Sequence, residues 1–79
     1  MKKYVKNYLK HHRLDETDYL ECEIPECCDL AVDIHHVVYK SQGGTDEASN
    51  LIALCRKHHE DAHKKILTVE QLFGIVQSN

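Results

Sequence analysis

Apolar residues recur at helical spacing near both ends of the chain. In residues 3–13 they form one helix face, made of Val5, Tyr8, Leu9 and His12. Near the other end, Thr68 and Gln71 have the spacing of a capping box, which marks the start of a helix. The apolar face that follows comprises Val69, Leu72, Phe73 and Val76. We therefore expect a first helix over residues 3–13 and a last helix over residues 68–77.

The centre of the chain predicts short strands and one helix. Residues 30–39 are rich in β-branched side chains and predict a strand or hairpin arm, and the apolar run 51–54 predicts a second strand. The intervening residues 40–49 contain a Gly-Gly pair and predict a loop. Residues 56–65 have helix-forming composition, and residues 22–28 predict a tight turn.

Length and composition limit the class of protein. The chain has 79 residues, 42% of them hydrophobic, with no Trp and one Phe. A domain of this size buries only about 60% of the surface that its unfolded chain exposes. We therefore expect a single domain over residues 1–79 whose thin core needs a metal, a disulfide or a partner. Multidomain enzymes, Rossmann folds, TIM barrels and membrane-spanning helices are excluded at this length and hydropathy.

The compartment decides how the four cysteines are interpreted. The N-terminal residues contain several lysines and no apolar segment of the kind found in secretory signals. We therefore expect a cytoplasmic protein with no membrane association. In the reducing cytosol, cysteines serve as metal ligands more often than as disulfides.

Charge is unevenly distributed along the chain. The formal net charge is -3, which argues against a protein that binds nucleic acid over its whole surface. Residues 1–13 nevertheless carry no acid, whereas residues 14–33 carry no base. The basic side chains of the first helix form a stripe, which we call the basic stripe, of Lys3, Lys6, Lys10 and Arg13. This stripe either contacts a phosphate backbone or is an ordinary solvated helix face.

Two short pairs of soft ligands predict a structural zinc site. Cys22 and Cys27 form one pair, and Cys55 and His58 form the other. Two such turns can close a tetrahedron of thiolates and imidazole, which is the geometry that Zn²⁺ prefers. The alternatives are a Cys22–Cys27 disulfide or buried free thiols. Cys28 is the fourth cysteine and could replace Cys27 as the ligand.

The histidines predict a second metal site. His59 and His63 are four residues apart on the expected helix, so both imidazoles face one direction and can chelate one ion. His58 points about 100° away from His59, because successive helical residues turn by that angle. His35 and His36 are adjacent on the expected strand and face opposite sides or splay at a bulge. One of them can bind metal while the other stays free for proton transfer.

These motifs together resemble the HNH endonuclease family, from Cys22 to about His63. The segments that carry the resemblance are Asp33-Ile34-His35-His36-Val37, Gly43-Gly44-Thr45-Asp46, Asn50 to His59, and His63. The order of these residues is also similar to that of the colicin DNases, a branch of the same ββα-metal class. The resemblance implies a small α+β fold, a ββα-metal core over residues 22–65 with a treble-clef-like zinc knuckle. A basic helix (residues 1–14) and a C-terminal helix (residues 68–77) would flank this core.

The resemblance also implies roles for individual residues. It implies one catalytic divalent metal, held by His35, His59 and His63, and His36 as the general base. Histidine suits that role because an imidazole is largely neutral at pH 7. Asn50 would orient the base through a hydrogen bond from its side-chain or backbone carbonyl. Three imidazoles favour Zn²⁺, Ni²⁺, Co²⁺ or Mn²⁺, and cellular availability leaves Mg²⁺ open.

The function expected from these features is metal-dependent cleavage or nicking of DNA with little sequence specificity. Lys40, in the loop after the base, is a further candidate for phosphate contact. Structural Zn²⁺ and the second divalent metal are the expected cofactors, with no small organic cofactor. The alternatives are a non-catalytic, zinc-stabilised nucleic-acid-binding module and a metal storage or sensor protein. A small stand-alone, phage-like nuclease would act in the cytoplasm of a bacterium or a phage-infected host cell, and its oligomeric state stays open.

Overall fold

The computed structural model describes residues 2–78, in which three helices flank a two-stranded antiparallel sheet. The elements in chain order are α1 (Lys3–His11), β1 (Asp33–His36), β2 (Leu51–Leu54), α2 (Arg56–His63) and α3 (Val69–Gln77). The predicted small α+β fold, with two strands followed by the histidine-bearing helix, is confirmed. The expected domain begins at Met1 and ends at Asn79, and the expected basic segment 1–14 also begins at Met1. Both of these terminal residues lie outside the described residues.

The sheet separates two apolar clusters, because every residue of β2 is buried and successive side chains face opposite sides. Leu51 and Ala53 pack towards α1, in a cluster with Tyr8, Leu9 and Ile34. On the other face of the sheet, Ile52 and Leu54 join a second cluster, which also contains Cys22, Val37, Cys55, Ala62 and Leu72. This second cluster lies under α2 and α3. The sheet therefore gives the protein an α1 side and an α2 side.

Helix α1 is two residues shorter than predicted. It ends at His11, and Arg13 has a positive φ of 57°, which the helical pattern did not reveal. The Leu14 amide donates to the Leu9 carbonyl at 2.8 Å and the Arg13 amide donates to Lys10 at 3.1 Å. These two bonds are the Schellman arrangement that closes a helix, here without glycine. Arg13 thus lies beyond the helix that carries the other three basic residues.

Strand β1 covers four residues of the ten-residue segment that the sequence predicts. It pairs with β2 so that His35 lies opposite Ile52 and His36 lies opposite Leu51. Beyond His36 the pairing changes. The Val37 amide donates to the backbone carbonyl of Asn50, and the Val38 amide donates to the side-chain oxygen of the same residue. The side-chain oxygen thus takes the place of the next backbone acceptor, and the strand ends there.

The two C-terminal helices follow the sequence closely. Helix α2 starts at Arg56 as predicted and ends at His63 rather than at residue 65, since Lys65 turns to a φ of 63°. The capping box that begins α3 is confirmed, with reciprocal bonds between Thr68 and Gln71. Within residues 2–78, no helix combines the length and apolarity needed to cross a membrane.

A tight knuckle brings the first two cysteines next to the sheet. A single β-bridge between Glu21 and Leu30 closes the base of the knuckle, and the Cys22 amide donates to the Asp29 carbonyl. Glu23 anchors the knuckle, because its Oε2 atom accepts from the Tyr8 hydroxyl at 2.6 Å and from the Ala53 amide at 2.7 Å. One carboxylate thereby connects the knuckle to α1 and to β2.

Candidate functional site

Three cysteines and one histidine converge on the α2 side of the sheet. The knuckle contributes Cys22 and Cys27, and the start of α2 contributes Cys55 and His58. The His58 Nδ1 atom lies 3.5 Å from the Cys22 sulfur and 3.2 Å from the Cys55 sulfur. The sulfurs of Cys27 and Cys55 are 3.9 Å apart. We call this group the Cys₃His cluster.

The donor atoms of the Cys₃His cluster fit one zinc ion. Around a tetrahedral zinc with the usual bond lengths, sulfur and nitrogen ligands lie about 3.5–3.8 Å from one another. The distances in this cluster are close to those values. Within residues 2–78 all four cysteines are free thiols, and Cys28 is exposed, whereas Cys27 lies in the cluster. The geometry therefore brings together the predicted ligand set, with Cys27 and not Cys28, and forms no Cys22–Cys27 disulfide.

The thiols of this cluster differ in acidity. Burial raises the pKa of the Cys22 thiol to about 11. Burial also raises the pKa of Cys55, but hydrogen bonds from the His58 backbone amide and from Cys22 and Cys27 outweigh it, so that its pKa is lowered. Cys55 is thus more readily converted than Cys22 to the thiolate that metal binding requires.

Three histidines form a second cluster. Helix α2 contributes His59, the residue after His58, and His63, and strand β1 contributes His35. The Nε2 atoms of His59 and His63 are 3.1 Å apart, and the His35 ring lies 5.3 Å and 5.4 Å from their ring centres. Nitrogens that share one metal ion lie about 3.0–3.4 Å apart at ordinary bond lengths. The arrangement of His35, His59 and His63, which we call the His₃ cluster, therefore fits one divalent ion.

The environment of His35 keeps its imidazole neutral. Burial, and after it the neighbouring imidazoles of His59 and His63, lower the pKa of His35 to about 4. A neutral imidazole is the form that binds metal. The cluster is graded in exposure, since His35 is buried, His59 is half-buried and His63 is exposed. One side of the cluster therefore faces solvent.

Two further side chains lie against the His₃ cluster. The Tyr39 hydroxyl oxygen lies 3.1 Å from the Nδ1 atom of His63, the nitrogen that points away from His59. An Asp33 carboxylate oxygen lies 3.8 Å from the Nε2 atom of His59. The Tyr39 hydroxyl is thus at the outer nitrogen of His63, and partners at that nitrogen fix the orientation of a ligating imidazole.

His36 lies on the α1 side of the sheet, opposite to His35. Its ring packs 4.5 Å from the Tyr4 ring, and its Nε2 atom lies 2.9 Å from a carboxylate oxygen of Asp46. Hydrogen bonds from His36 and Lys40 lower the pKa of Asp46, so this carboxylate is ionised at neutral pH and can only accept. The His36 Nε2–H group therefore donates a hydrogen bond to Asp46. In the neutral tautomer that has this proton, Nδ1 is the nitrogen with the free electron pair.

Asn50 supports His36 indirectly, through the loop that carries Asp46. Its side-chain amide donates to the carbonyls of Val38 and Thr45, and its side-chain oxygen accepts from the Val38 amide. The expected hydrogen bond from Asn50 to the His36 ring is not among the contacts of residues 2–78; the ring bonds to Asp46 instead. Asn50 is buried and fastens the loop that carries Asp46 to the end of β1.

The loop before Asp46 depends on glycine. A Cβ atom on Gly44 would collide with the Val38 carbonyl oxygen, so a larger residue could not follow this path. From the other side, the Asn7 side chain on α1 donates to the Asp46 backbone carbonyl at 2.9 Å. Asp46 is therefore positioned by α1, by Asn50 and by the tight Gly-Gly turn together.

The basic residues form a looser group than the two clusters. Lys3, Lys6 and Lys10 are exposed on α1, and Arg13 is exposed just beyond it. Lys40 is not free, because its ammonium donates to Asp46 at 3.1 Å while its side chain remains mostly exposed. Helix α1 contacts His36 through the ring of Tyr4.

Asp46, Tyr39 and Asp33 are the residues that sequence reasoning missed as parts of the site. Asp46 and Asp33 belong to the motif segments quoted above, yet nothing in residue spacing assigns a partner to an isolated carboxylate. The partner of Asp46 follows only from the path of the loop after the Gly-Gly turn, which returns the chain to His36. Tyr39 has no periodicity that would separate it from a packing residue.

Comparison with protein families gives one match. The family model of the HNH endonucleases matches residues 20–65, which is more than half of the chain. Searches of curated proteins and of solved structures gave no match. The matched segment begins at the base of the cysteine knuckle and ends just after α2, so it contains both metal-ligand clusters, His36 and Asn50. On this evidence, and with the ββα arrangement described above, the chain belongs to the HNH endonuclease family.

Proposed function

We propose that this protein is a metal-dependent endonuclease that hydrolyses DNA phosphodiester bonds, with His36 as the general base. One observation carries the proposal: the next residue after the buried histidine of the His₃ cluster is a histidine held by a carboxylate. A metal ligand and an oriented base are thus the last two residues of β1, with Cα atoms about 3.8 Å apart and side chains on opposite sides of the strand end. A module that only binds nucleic acid needs neither feature.

His36 removes a proton from the attacking water. Its Nε2–H group donates a hydrogen bond to Asp46 at 2.9 Å, so Nδ1 is the nitrogen that accepts the proton of the water. The ionised Asp46 then stabilises the imidazolium that forms, as a carboxylate does beside a catalytic histidine. Asn50 supports this pair by holding the loop of Asp46 against Val38.

His35, His59 and His63 would hold the divalent metal of this reaction. Such an ion, when bound, supplies charge stabilisation to the phosphate and to the leaving oxygen. The chain contributes neutral imidazoles on a rigid helix and strand, with Tyr39 fixing the orientation of His63. Because His63 is exposed, the phosphate can approach from that side.

The DNA backbone extends from the exposed His63 side of the His₃ cluster, past the loop after β1, to α1. The basic stripe supplies contacts to the phosphate backbone, and Lys40 supplies another when a phosphate competes with Asp46 for its ammonium. None of the helices and strands within residues 2–78 has the form of an element that reads base edges, so we expect cleavage with little sequence preference. The Cys₃His cluster would hold a structural zinc, which would keep the knuckle against the sheet.

The test is nicking of supercoiled plasmid by purified protein, with EDTA and with each of Mg²⁺, Mn²⁺, Ni²⁺ and Zn²⁺. Wild-type protein should nick in at least one metal and be inactive in EDTA. His36→Ala should nick roughly 10²–10⁴ times more slowly, because it removes the base but no metal ligand. Its zinc content, second-metal content and circular dichroism should match those of wild type.

His12→Ala is the matched control, because His12 also stacks on a tyrosine of α1 but lies away from the His₃ cluster. It should nick like wild type. Asn50→Ala should keep both metals and lose activity, with a lower melting temperature because three side-chain hydrogen bonds are removed. Failure of the wild type to nick in any metal, together with retained DNA binding, would instead support a non-catalytic zinc-stabilised binding module.

A further inference from the structure

Two side chains of α1 contact the His36–Asp46 pair, which is the base and its carboxylate partner in the proposed function. The Tyr4 ring centre lies 4.5 Å from that of His36, with the two ring planes tilted by 59°. The Asn7 side-chain amide donates to the Asp46 backbone carbonyl at 2.9 Å. Residues three apart on a helix are neighbours on one face, so Tyr4 and Asn7 contact the pair together. Both lie outside residues 20–65, so the family resemblance assigns them no role.

The apolar core fixes α1 relative to the sheet. Tyr8, one turn after Tyr4, is buried in the α1-side cluster with Leu51. Leu51 lies opposite His36 in the sheet. The Tyr8 hydroxyl also donates to the Glu23 carboxylate at 2.6 Å. The core therefore holds the Tyr4 ring beside His36 whether or not the two rings attract each other.

The two contacts restrict the orientation of the base. The hydrogen bond to Asp46 holds only the Nε2 end of the imidazole, whereas a ring packed at 4.5 Å limits the tilt of the imidazole plane. Asn7 acts on the partner, because it holds the Asp46 backbone from α1 while Asn50 holds the carbonyl of the preceding residue. A base works only when its accepting nitrogen is within hydrogen-bond reach of the proton that it removes. Side chains that fix the imidazole therefore affect the rate of proton transfer and not the binding of metal.

We propose that Tyr4 and Asn7 are positioning residues for the His36 base, so that α1 completes the catalytic unit as well as carrying most of the basic stripe. This inference rests on the proposed role of His36. There are two competing explanations: the residues only fasten α1 to the sheet, or the Tyr4 ring contacts DNA. The first predicts a loss of stability without a specific effect on kcat, and the second predicts a weaker affinity for DNA.

The experiment is measurement of initial nicking rates over a range of plasmid concentrations, in the metal that gives the highest wild-type rate. Tyr4→Ala should lower kcat by roughly 10–100-fold with little change in KM, because a displacement of about 1 Å at a reacting group can cost about 100-fold. Tyr4→Phe, which restores a ring at this position, should recover most of the lost kcat. Asn7→Ala should lower kcat by less, since Asn50 also holds the loop of Asp46.

Val5→Ala is the matched control for stability, because Val5 packs against the same apolar cluster as Tyr4 but carries no ring to pack on His36. It should lower the melting temperature, by removing packed methyl groups, and leave kcat unchanged. A double variant then tests whether Tyr4 acts through the base. In the His36→Ala background, Tyr4→Ala should change the residual rate by less than about twofold, because no base is left to position.

Wild-type kcat in Tyr4→Ala would overturn the proposal, and so would a rise in KM at constant kcat, which would indicate DNA contact. A full additional loss of activity when Tyr4→Ala is combined with His36→Ala would also overturn it, because independent sites multiply their effects on rate. If Tyr4→Ala unfolds, Tyr4→Leu, which keeps an apolar side chain against the cluster, replaces it in the same measurements. A His36→Ala protein that nicks like wild type would overturn the proposed function and this inference together, whereas a negative result for Tyr4 alone leaves that function standing.

Discussion

The Cys₃His and His₃ clusters are neighbours on α2, yet they are built differently. His58 and His59 are consecutive residues, and the helical turn between them sends one imidazole to the sulfurs and the other to His35 and His63. The Cys₃His cluster has four donors, two of them on buried residues of the α2-side core. The His₃ cluster has three donors and grades from a buried to an exposed residue.

This is the difference expected between a site that stabilises the fold and a site that meets a substrate. Four donors fill a tetrahedron and leave no position for another ligand, as in structural zinc sites. Three donors leave positions open, and in this protein the open side faces solvent at His63. One short helix can therefore carry both kinds of site, because a one-residue step changes the direction of the side chain by about 100°.

The largest expected effect comes from removing a ligand of the Cys₃His cluster, which we call the closed site because its four donors leave no open position. Cys55→Ser should abolish cooperative thermal unfolding and release zinc on dialysis, because structural zinc contributes about 10–16 kcal/mol to small modules. That contribution is comparable to or greater than the whole stability of a typical domain, about 5–15 kcal/mol. Circular dichroism melts and elemental analysis of dialysed protein measure both effects.

Cys28→Ser is the matched control for the closed site, since Cys28 adjoins Cys27 but is exposed and outside the cluster. It should keep zinc and melt like wild type. If Cys28→Ser loses zinc and Cys27→Ser does not, the ligand assignment within the knuckle is reversed.

Removing a ligand of the His₃ cluster, which we call the open site, should leave the fold intact. His59→Ala removes one of three imidazoles, so the second metal should be lost on dialysis and nicking should fall to the level seen in EDTA. The structural zinc and the melting temperature should stay close to those of wild type, because His59 is not part of the apolar core. His11→Ala, an exposed histidine on α1, should change neither metal nor activity. Zinc loss in His59→Ala would mean that the two clusters are not independent.

Much of this contrast was predictable from the sequence, because ligand spacing on a helix determines which imidazoles share a direction. The pairing of Cys55 with His58 and of His59 with His63 required only helical geometry, and the structure brings both pairs together. The extents of β2 and α3 and the capping box of Thr68 also followed from local pattern. These features share one property, which is that their causes lie within a few residues along the chain.

The features that could not be predicted depend on contacts between distant segments. Strand β1 stops at His36 because Asn50, fourteen positions later in the chain, supplies a side-chain acceptor to Val38. The α1 helix ends early through a left-handed residue that is not glycine. Asp46 reaches His36 only because the loop turns back at Gly44. Each of these outcomes needs the tertiary path of the chain, which residue periodicity does not contain.

Removing a hydrogen-bond partner of a His₃ ligand should lower metal affinity less than removing a ligand itself. Tyr39→Phe removes the hydroxyl that lies 3.1 Å from His63 Nδ1 and keeps the ring. We expect the affinity of the second metal to fall by about tenfold, since losing an outer partner of a ligating histidine typically costs about 10–100-fold. Titration with Ni²⁺ measures this, and zinc content should not change, because Tyr39 is not part of the Cys₃His cluster. Tyr19→Phe, at a strongly exposed tyrosine, is the control.

The smallest expected effect tests whether the open site works together with the basic stripe. If Lys6 and Lys10 contact phosphates, DNA binding by the inactive His36→Ala protein should weaken with salt by about 0.9 log units per contact per log unit of salt. Replacing both lysines by glutamine should then reduce that slope by about two such contacts, measured by fluorescence anisotropy on a labelled duplex. Lys57→Gln, an exposed lysine at the start of α2 beside the closed site, should leave the slope unchanged. Zinc retention should not depend on salt in any of these variants, because buried thiolate ligands are not displaced by screening of surface charge. An unchanged slope in the double variant would make the stripe a solvated helix face and would leave phosphate binding to the His₃ side alone.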